Sequence, residues 1–239
     1  MKKLLYILLF VSMFGFSATA QDTQAQIDSI MTLYPNCTDY PVEVLIVLDS
    51  LLVALENDQS NNNEENALFF NYLADNYPNI IENGELNLYE ASLITELNLD
   101  GLGLNNISGI EHFNNLENLS CNNNNLTTIP ELPSQITTLS IKSNNLNNIT
   151  DLPENLLHLD LRYNSLSTVP ELPNNMESLK LCFNNFTTIP NLPDSLIILF
   201  FAYNELDGLP IFPPKLEQAL CYNNQISHLG NLPEISYLQ

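Results

Sequence analysis

A unit of 20 residues recurs along the second half of this chain, and no other feature constrains its fold as tightly. Leu116, Ile136, Leu156, Met176, Leu196 and Leu216 stand 20 residues apart. Between them the pattern reads Leu-x-x-Leu-x-Leu-x-x-Asn-x-Leu-x-x-Ile-Pro-x-Leu-Pro. One copy runs Leu156, Leu159, Leu161, Asn164, Leu166, Val169, Pro170, Leu172, Pro173. Counting the first Leu as position 1, the Asn at position 9 reads Asn124, Asn144, Asn164, Asn184, Asn204 and Asn224 without exception. An earlier unit from Ile94 is two residues longer and has Leu102 where the Asn belongs. A last unit opens with Ile235 and Leu238. A unit this short cannot bury its own apolar residues, so copies must stack and share a core.

Each column has a physical reason. Positions 4 and 6 alternate, so they face one side of a short strand, and stacked strands form a parallel sheet about 4.8 Å per repeat. Asn at position 9 sits where the chain leaves the strand. Turned inward, its amide can pair backbone N–H and C=O groups of the turn and the next coil. The prolines, as in Ile129-Pro130-Glu131-Leu132-Pro133, forbid a helix on the return path. The expected architecture is an α/β solenoid with a parallel concave sheet and an extended, Pro-rich convex side.

The repeat resembles the leucine-rich repeat, over about residues 94–239. The short unit with its Leu-Pro-x-Leu-Pro run is similar to a bacterial subclass. That subclass includes secreted and surface proteins of Bacteroidota and the invasion-plasmid-antigen effectors of enteric pathogens. Those effectors also place helices before the repeats, and many carry a C-terminal ubiquitin-ligase domain, to which nothing here corresponds. The resemblance implies protein recognition through the concave face.

Ahead of the repeats, residues 21–93 predict a helical region and cap. Ile27, Ile30, Met31 and Tyr34 fall at helical spacing before Pro35, and Val44, Leu48, Leu51, Leu52 and Leu55 form a second stripe. Leu68, Phe69, Tyr72 and Leu73 mark a third helix that should stop before Pro78. A solenoid needs such a cover over its first repeat. At the other end Leu238 starts a new unit without a polar cap, which predicts that the chain is truncated there.

Residues 1–20 read as a secretory signal: Lys2 and Lys3, an apolar run from Leu4 to Phe16, then Ala18-Thr19-Ala20 before Gln21. The apolar run is too short to span a bilayer comfortably. The expected location is therefore secreted or cell-surface, with no membrane insertion after cleavage. Six Lys and Arg against 28 Asp and Glu give a formal charge of −22, or −24 once Lys2 and Lys3 are removed. A surface this acidic repels phosphate and excludes nucleic-acid binding by counterion release. Seven Gly against 14 Pro argues against a Gly-rich phosphate loop. Cys37, Cys121, Cys182 and Cys221 match no metal spacing, and the repeat register spreads three of them over different strands. No metal or cofactor is expected.

Candidate binding residues follow from the outward columns. Position 5 includes Asp160, Lys180, Phe200 and Leu220; position 7 includes Lys142, Arg162, Cys182 and Tyr222; position 8 includes Tyr163, Phe183 and Tyr203. Position 3 adds His158 and Ile198. Lys142, Arg162 and Lys180 put most of the chain's remaining basic charge on one face, beside an aromatic and aliphatic patch. Asp160 and Lys180 should pair across neighbouring strands. Cys182 should be an exposed thiol next to Arg162, while Cys121 and Cys221 fill core position 6. His158, Asp160 and Cys182 are too far apart along the strands for a catalytic set.

The resulting expectation is a secreted, non-catalytic recognition module for a protein ligand. Two alternatives stay open: a surface adhesin or spacer, and the repeat part of a virulence effector that lacks its catalytic domain.

Overall fold

The computed structural model of the chain describes residues 66–82, 84–189, 191–227 and 236–238. The signal segment, the first two helical stripes, Cys37, His228 and Ile235 lie outside them.

The repeats build the expected sheet. After helix α1 (66–76) come strands β1 (Ile81–Glu82) and β2 (Glu85–Leu86), helix α2 (Leu88–Ser92) and β3 (Glu96–Asn98). Then follow β4 (Asn118–Ser120), β5 (Thr138–Ser140), β6 (His158–Asp160), β7 (Ser178–Lys180), β8 (Ile198–Phe200), β9 (Gln218–Leu220) and β10 (Tyr237–Leu238). Strands β3 to β10 form one eight-stranded parallel sheet in strict sequence order. The register is the repeat itself, with Leu119 opposite Leu139, Leu159, Leu179 and Leu199 in turn. Each strand is three residues at most, positions 3 to 5, and its middle residue at position 4 is buried from β3 to β9.

One apolar core runs the length of the sheet, through positions 1, 4, 6 and 11, as with Leu156, Leu159, Leu161 and Leu166. The return path is extended, and no helix forms in any 20-residue unit among the described residues. Prolines at position 18 turn the chain back: their carbonyls accept from the N–H of the next position 1, as Pro153 accepts from Leu156 at 3.1 Å. The acids Glu131, Asp151, Glu171 and Asp194 are all exposed on this side.

The Asn column pairs with its own turn, as expected, but otherwise reaches back to the preceding repeat and not on to the next coil. Each Asn Oδ1 accepts from the position 11 N–H of the preceding repeat, at 3.0–3.1 Å. Each Nδ2 donates backward to the position 6 carbonyl of that repeat at 2.8–3.0 Å, and also to its own position 6 carbonyl. An interior position 6 carbonyl such as Leu161 thus serves two asparagines, Asn164 and Asn184. The direction explains the exception at Leu102. The first unit has no repeat before it to satisfy, so an apolar residue packed on the core suffices there.

The third predicted helix is α1, and it covers the first repeat. Phe69 and Leu73 are fully buried, and the Phe69 ring lies 6.4 Å from that of Phe113. The Tyr72 hydroxyl donates to the Asn98 carbonyl at 2.8 Å, tying the helix to β3. The β1–β2 hairpin and α2 were not anticipated. Their sequence signal was local: Asn87 caps α2 by accepting from the backbone N–H of Tyr89 and Glu90. The two extra residues of the first unit feed a 3-10 turn at Ile110–His112.

Candidate recognition surface

The outer sheet face is built from positions 3, 5, 7 and 8. Positions 3 and 5 point outward, as alternation requires, though Ser178 is buried among its neighbours. Phe200, Ile198 and Leu220 are half-buried rather than free, because side chains on adjacent strands lie against one another. Position 7 departs from expectation: Asn122, Cys182 and Ala202 are all buried, while Lys142 and Arg162 are half-buried and Tyr222 is exposed.

Charge on this face is organised differently from the sequence expectation. Asp160 does not pair with Lys180. Arg162, two residues further along the same chain, grips it with Nε at 2.9 and 3.1 Å and Nη2 at 2.6 Å. The i,i+2 spacing puts both side chains on one sheet face, and the guanidinium fork matches the carboxylate. The hydrogen bond that Arg162 donates to Asp160, ahead of an opposing burial effect and aided by the carboxylate charge, raises the Arg162 pKa. Lys180 instead holds its Nζ 5.9 Å from the centroid of the Phe200 ring. Lys142 and Lys180 form no ion pair among the described residues, where Arg162–Asp160 is the ion pair made by a Lys or Arg. His158 is exposed at position 3.

Towards the cap the face turns polar. The Asp100 carboxylate accepts from Ser120 Oγ at 2.7 Å and from the backbone and side-chain N–H groups of Asn122 at 2.6 and 3.1 Å. Asn122 in turn accepts from Ser140 and from the Lys142 backbone. Burial pushes the Asp100 carboxyl up, but these bonds and the Lys142 charge outweigh it and hold it below the usual range.

Beyond the strand ends runs an aromatic file. Tyr163 and Phe183 stack at 4.3 Å and 12°, and Phe183 and Tyr203 at 4.1 Å and 14°. Tyr222 meets Tyr203 edge-on at 5.3 Å. Tyr163, Tyr203 and Tyr222 are 49%, 40% and 41% exposed. The stack exists because position 8 is left-handed in every repeat, with φ of 54–60° from Asn123 to Asn223. Simple alternation would send position 9 outward after an inward position 6. One left-handed residue breaks the alternation, turns the Asn inward, and aims its own N–H at the position 7 carbonyl of the next repeat, as from Tyr163 to Cys182 at 3.0 Å. Gly101 holds the same place in the first unit at φ 69°. Glycine and asparagine suit this conformation; each bulky residue costs about 1–2 kcal/mol there. The middle repeats nonetheless carry Tyr163, Phe183 and Tyr203.

The exposed-thiol expectation for Cys182 does not hold. It is 6% exposed, and burial raises its pKa despite the backbone N–H of Ala202 and the charge of Arg162. Cys121 is fully buried in the core, and Cys221 is half-buried against it, its thiol also pushed up by burial. All three are free thiols. Among the described residues no group of three or more His, Cys, Asp or Glu could hold a metal ion. No helix among them is long and apolar enough to cross a membrane.

No protein-family model matches the chain, and no curated protein does either. Solved structures do. The leucine-rich-repeat domain of a Shigella effector matches at 32% identity and a TM-score of 0.56, over 60% of this chain and 66% of that one. YopM, a leucine-rich effector protein from Yersinia pestis, matches at 27% identity and a TM-score of 0.56, over 74% of this chain and 58% of its own. This chain has the leucine-rich-repeat fold. YopM from Yersinia enterocolitica is similar over 61% of the solenoid chain and 37% of its own length, at 33% identity and a TM-score of 0.51. The leucine-rich-repeat chain thus spans less than two thirds of the length of each of these bacterial proteins. The fold is that of a repeat module suited to protein interaction, because a stacked sheet offers a broad, regular surface to a partner.

Proposed function

We propose that this chain is an exported, non-catalytic recognition module that binds a protein ligand on its concave sheet face. The observation that carries the reading is the half-exposed aromatic file from Tyr163 to Tyr222, beside Lys142 and Lys180. Contiguous exposed aromatics mark interaction surfaces, and tyrosine supplies contact area at small entropic cost. Catalysis has no support on this face: Asp160 is occupied by Arg162, and Cys182 is buried with a raised pKa. Export rests on the charged start, apolar run and Ala18-Thr19-Ala20 of the leader.

Two measurements test this. Mass spectrometry of the protein recovered outside the cell should find a mature chain starting at Gln21; retention of residues 1–20 in a cell-associated form counts against export. A photo-crosslinking amino acid placed at Tyr203 should capture a protein in the native culture, whereas one at Glu131 on the convex side should not. Equal capture from both positions, or from neither, would remove the concave face from the reading.

A further inference from the structure

Taking the sheet face as the binding surface, we propose that it selects an extended protein segment in which acidic residues are flanked by apolar ones. The ring geometry supplies the first argument. Phe183 is covered on both faces, by Tyr163 at 4.3 Å and by Tyr203 at 4.1 Å. An aromatic face is electron-rich and its edge electron-poor. A sugar ring or a cation docks on faces, and the stack has used most of its faces internally. What it offers outward is edges and phenol hydroxyls, both of which favour carboxylate and carbonyl oxygens.

The charges agree. Arg162 is paired with Asp160, but Lys142 and Lys180 form no ion pair among the described residues; Lys142 acts on Asp100 only through its charge, and Asp100 is itself held by Ser120 and Asn122. The Phe200 ring, 5.9 Å from Lys180 Nζ, and the half-buried Ile198 and Leu220 give the same face its apolar part. Long-range electrostatics bounds the ligand from the other side. A chain of formal charge −22 repels any long polyanion, so the ligand's negative charge must be local and set among apolar residues. Backbone strain points to the same residues: Tyr163, Phe183 and Tyr203 occupy left-handed positions where Asn123 and Asn223 show that asparagine fits. A file of rings kept against its conformational preference is better explained by a ligand than by folding.

The inference rests on the proposed binding role of this face, and panning separates the two. A displayed library of random 12-residue peptides would be panned on the full chain, with Tyr163→Asn/Tyr203→Asn and Lys142→Gln/Lys180→Gln double variants in parallel. Enriched peptides should combine Asp or Glu with aromatic or aliphatic residues and bind in fluorescence anisotropy with an affinity that falls as salt rises. Each double variant should weaken them at least tenfold. The asparagine variant should do so with an unchanged circular-dichroism melting temperature, because it relieves backbone strain as it removes the stack. Enriched neutral or basic peptides that still require the aromatic file would overturn the acidic specificity and leave recognition intact. Enrichment that neither variant disturbs, or none at all, would overturn both. Tighter binding of a gluco-oligosaccharide than of any acidic peptide would replace the ligand class.

Discussion

At the scale of single residues, the asparagine at position 9 is the most demanding part of the repeat. Asn184 accepts from Leu166 N–H and donates to the carbonyls of Leu161 and Leu181, all in the buried turn. Its replacement by Ala leaves the buried Leu166 N–H without this partner and takes from the carbonyls of Leu161 and Leu181 one of their two asparagine donors. Asn184→Ala should lower unfolding free energy by about 2–3 kcal/mol in urea titration. Asn164→Ala, at a half-buried member of the same column, should cost less. Cys182 makes a second residue-scale prediction. In a variant that keeps it as the sole cysteine, alkylation in the folded state should be at least tenfold slower than that of free cysteine at pH 8. Burial both blocks access and raises the thiol pKa, so less thiolate is present. Reaction at the free-thiol rate would contradict the packing of position 7.

At the scale of elements, the first strands differ from the rest. Strands β3 to β5 are cross-linked by the Asp100, Ser120, Asn122 and Ser140 network, which depends on Asp100 being ionised. Its folded pKa lies below the unfolded value of about 3.9, so its contribution is complete above that value and is lost as pH falls through the folded pKa. Wild type should therefore lose stability more steeply than Asp100→Asn as pH falls below about 4, measured by thermal unfolding. Parallel pH profiles would deny Asp100 that role. The junction between cap and sheet is equally specific. Gly109 sits at φ 102°, and a Cβ there would meet the Phe70 ring at 3.5 Å. Any substitution strains the turn that seats α1 on the first repeat.

At the scale of the molecule, stability is a sum of neighbouring contacts along one core. Each strand pairs only with the strands before and after it. Leu159, nearly inaccessible at the centre of β6, packs in the shared core of the stack. Leu159→Ala should cost about 2–5 kcal/mol. Hydrogen exchange should quicken first in β5, β6 and β7 and least near the cap; uniform quickening would indicate a globally cooperative unit instead. Charge is also a whole-molecule property. Among the described residues, Glu131, Asp151, Glu171 and Asp194 line the outer return paths, while Lys142, Arg162 and Lys180 stand on the sheet beside Asp100 and Asp160, so basic charge is gathered on one face of an acidic chain.

The repeat was legible because it is written once per turn: the same six or seven columns, reiterated, determine strand register, core and extended return path, while the helix of Phe69 and Leu73 was legible from its own helical spacing. The β1–β2 hairpin and α2 were not, because each rests on a single local cue with no repetition behind it. The binding surface was half legible. The columns named the residues, but alternation alone misplaced position 7 and missed the left-handed turn at position 8 that stacks Tyr163, Phe183 and Tyr203. Sequence fixes which residues share a face. Which of them touch is decided by side-chain reach: Arg162 takes Asp160 along its own chain in place of Lys180 on the next strand, and the backbone turn carries the asparagines back to the preceding repeat.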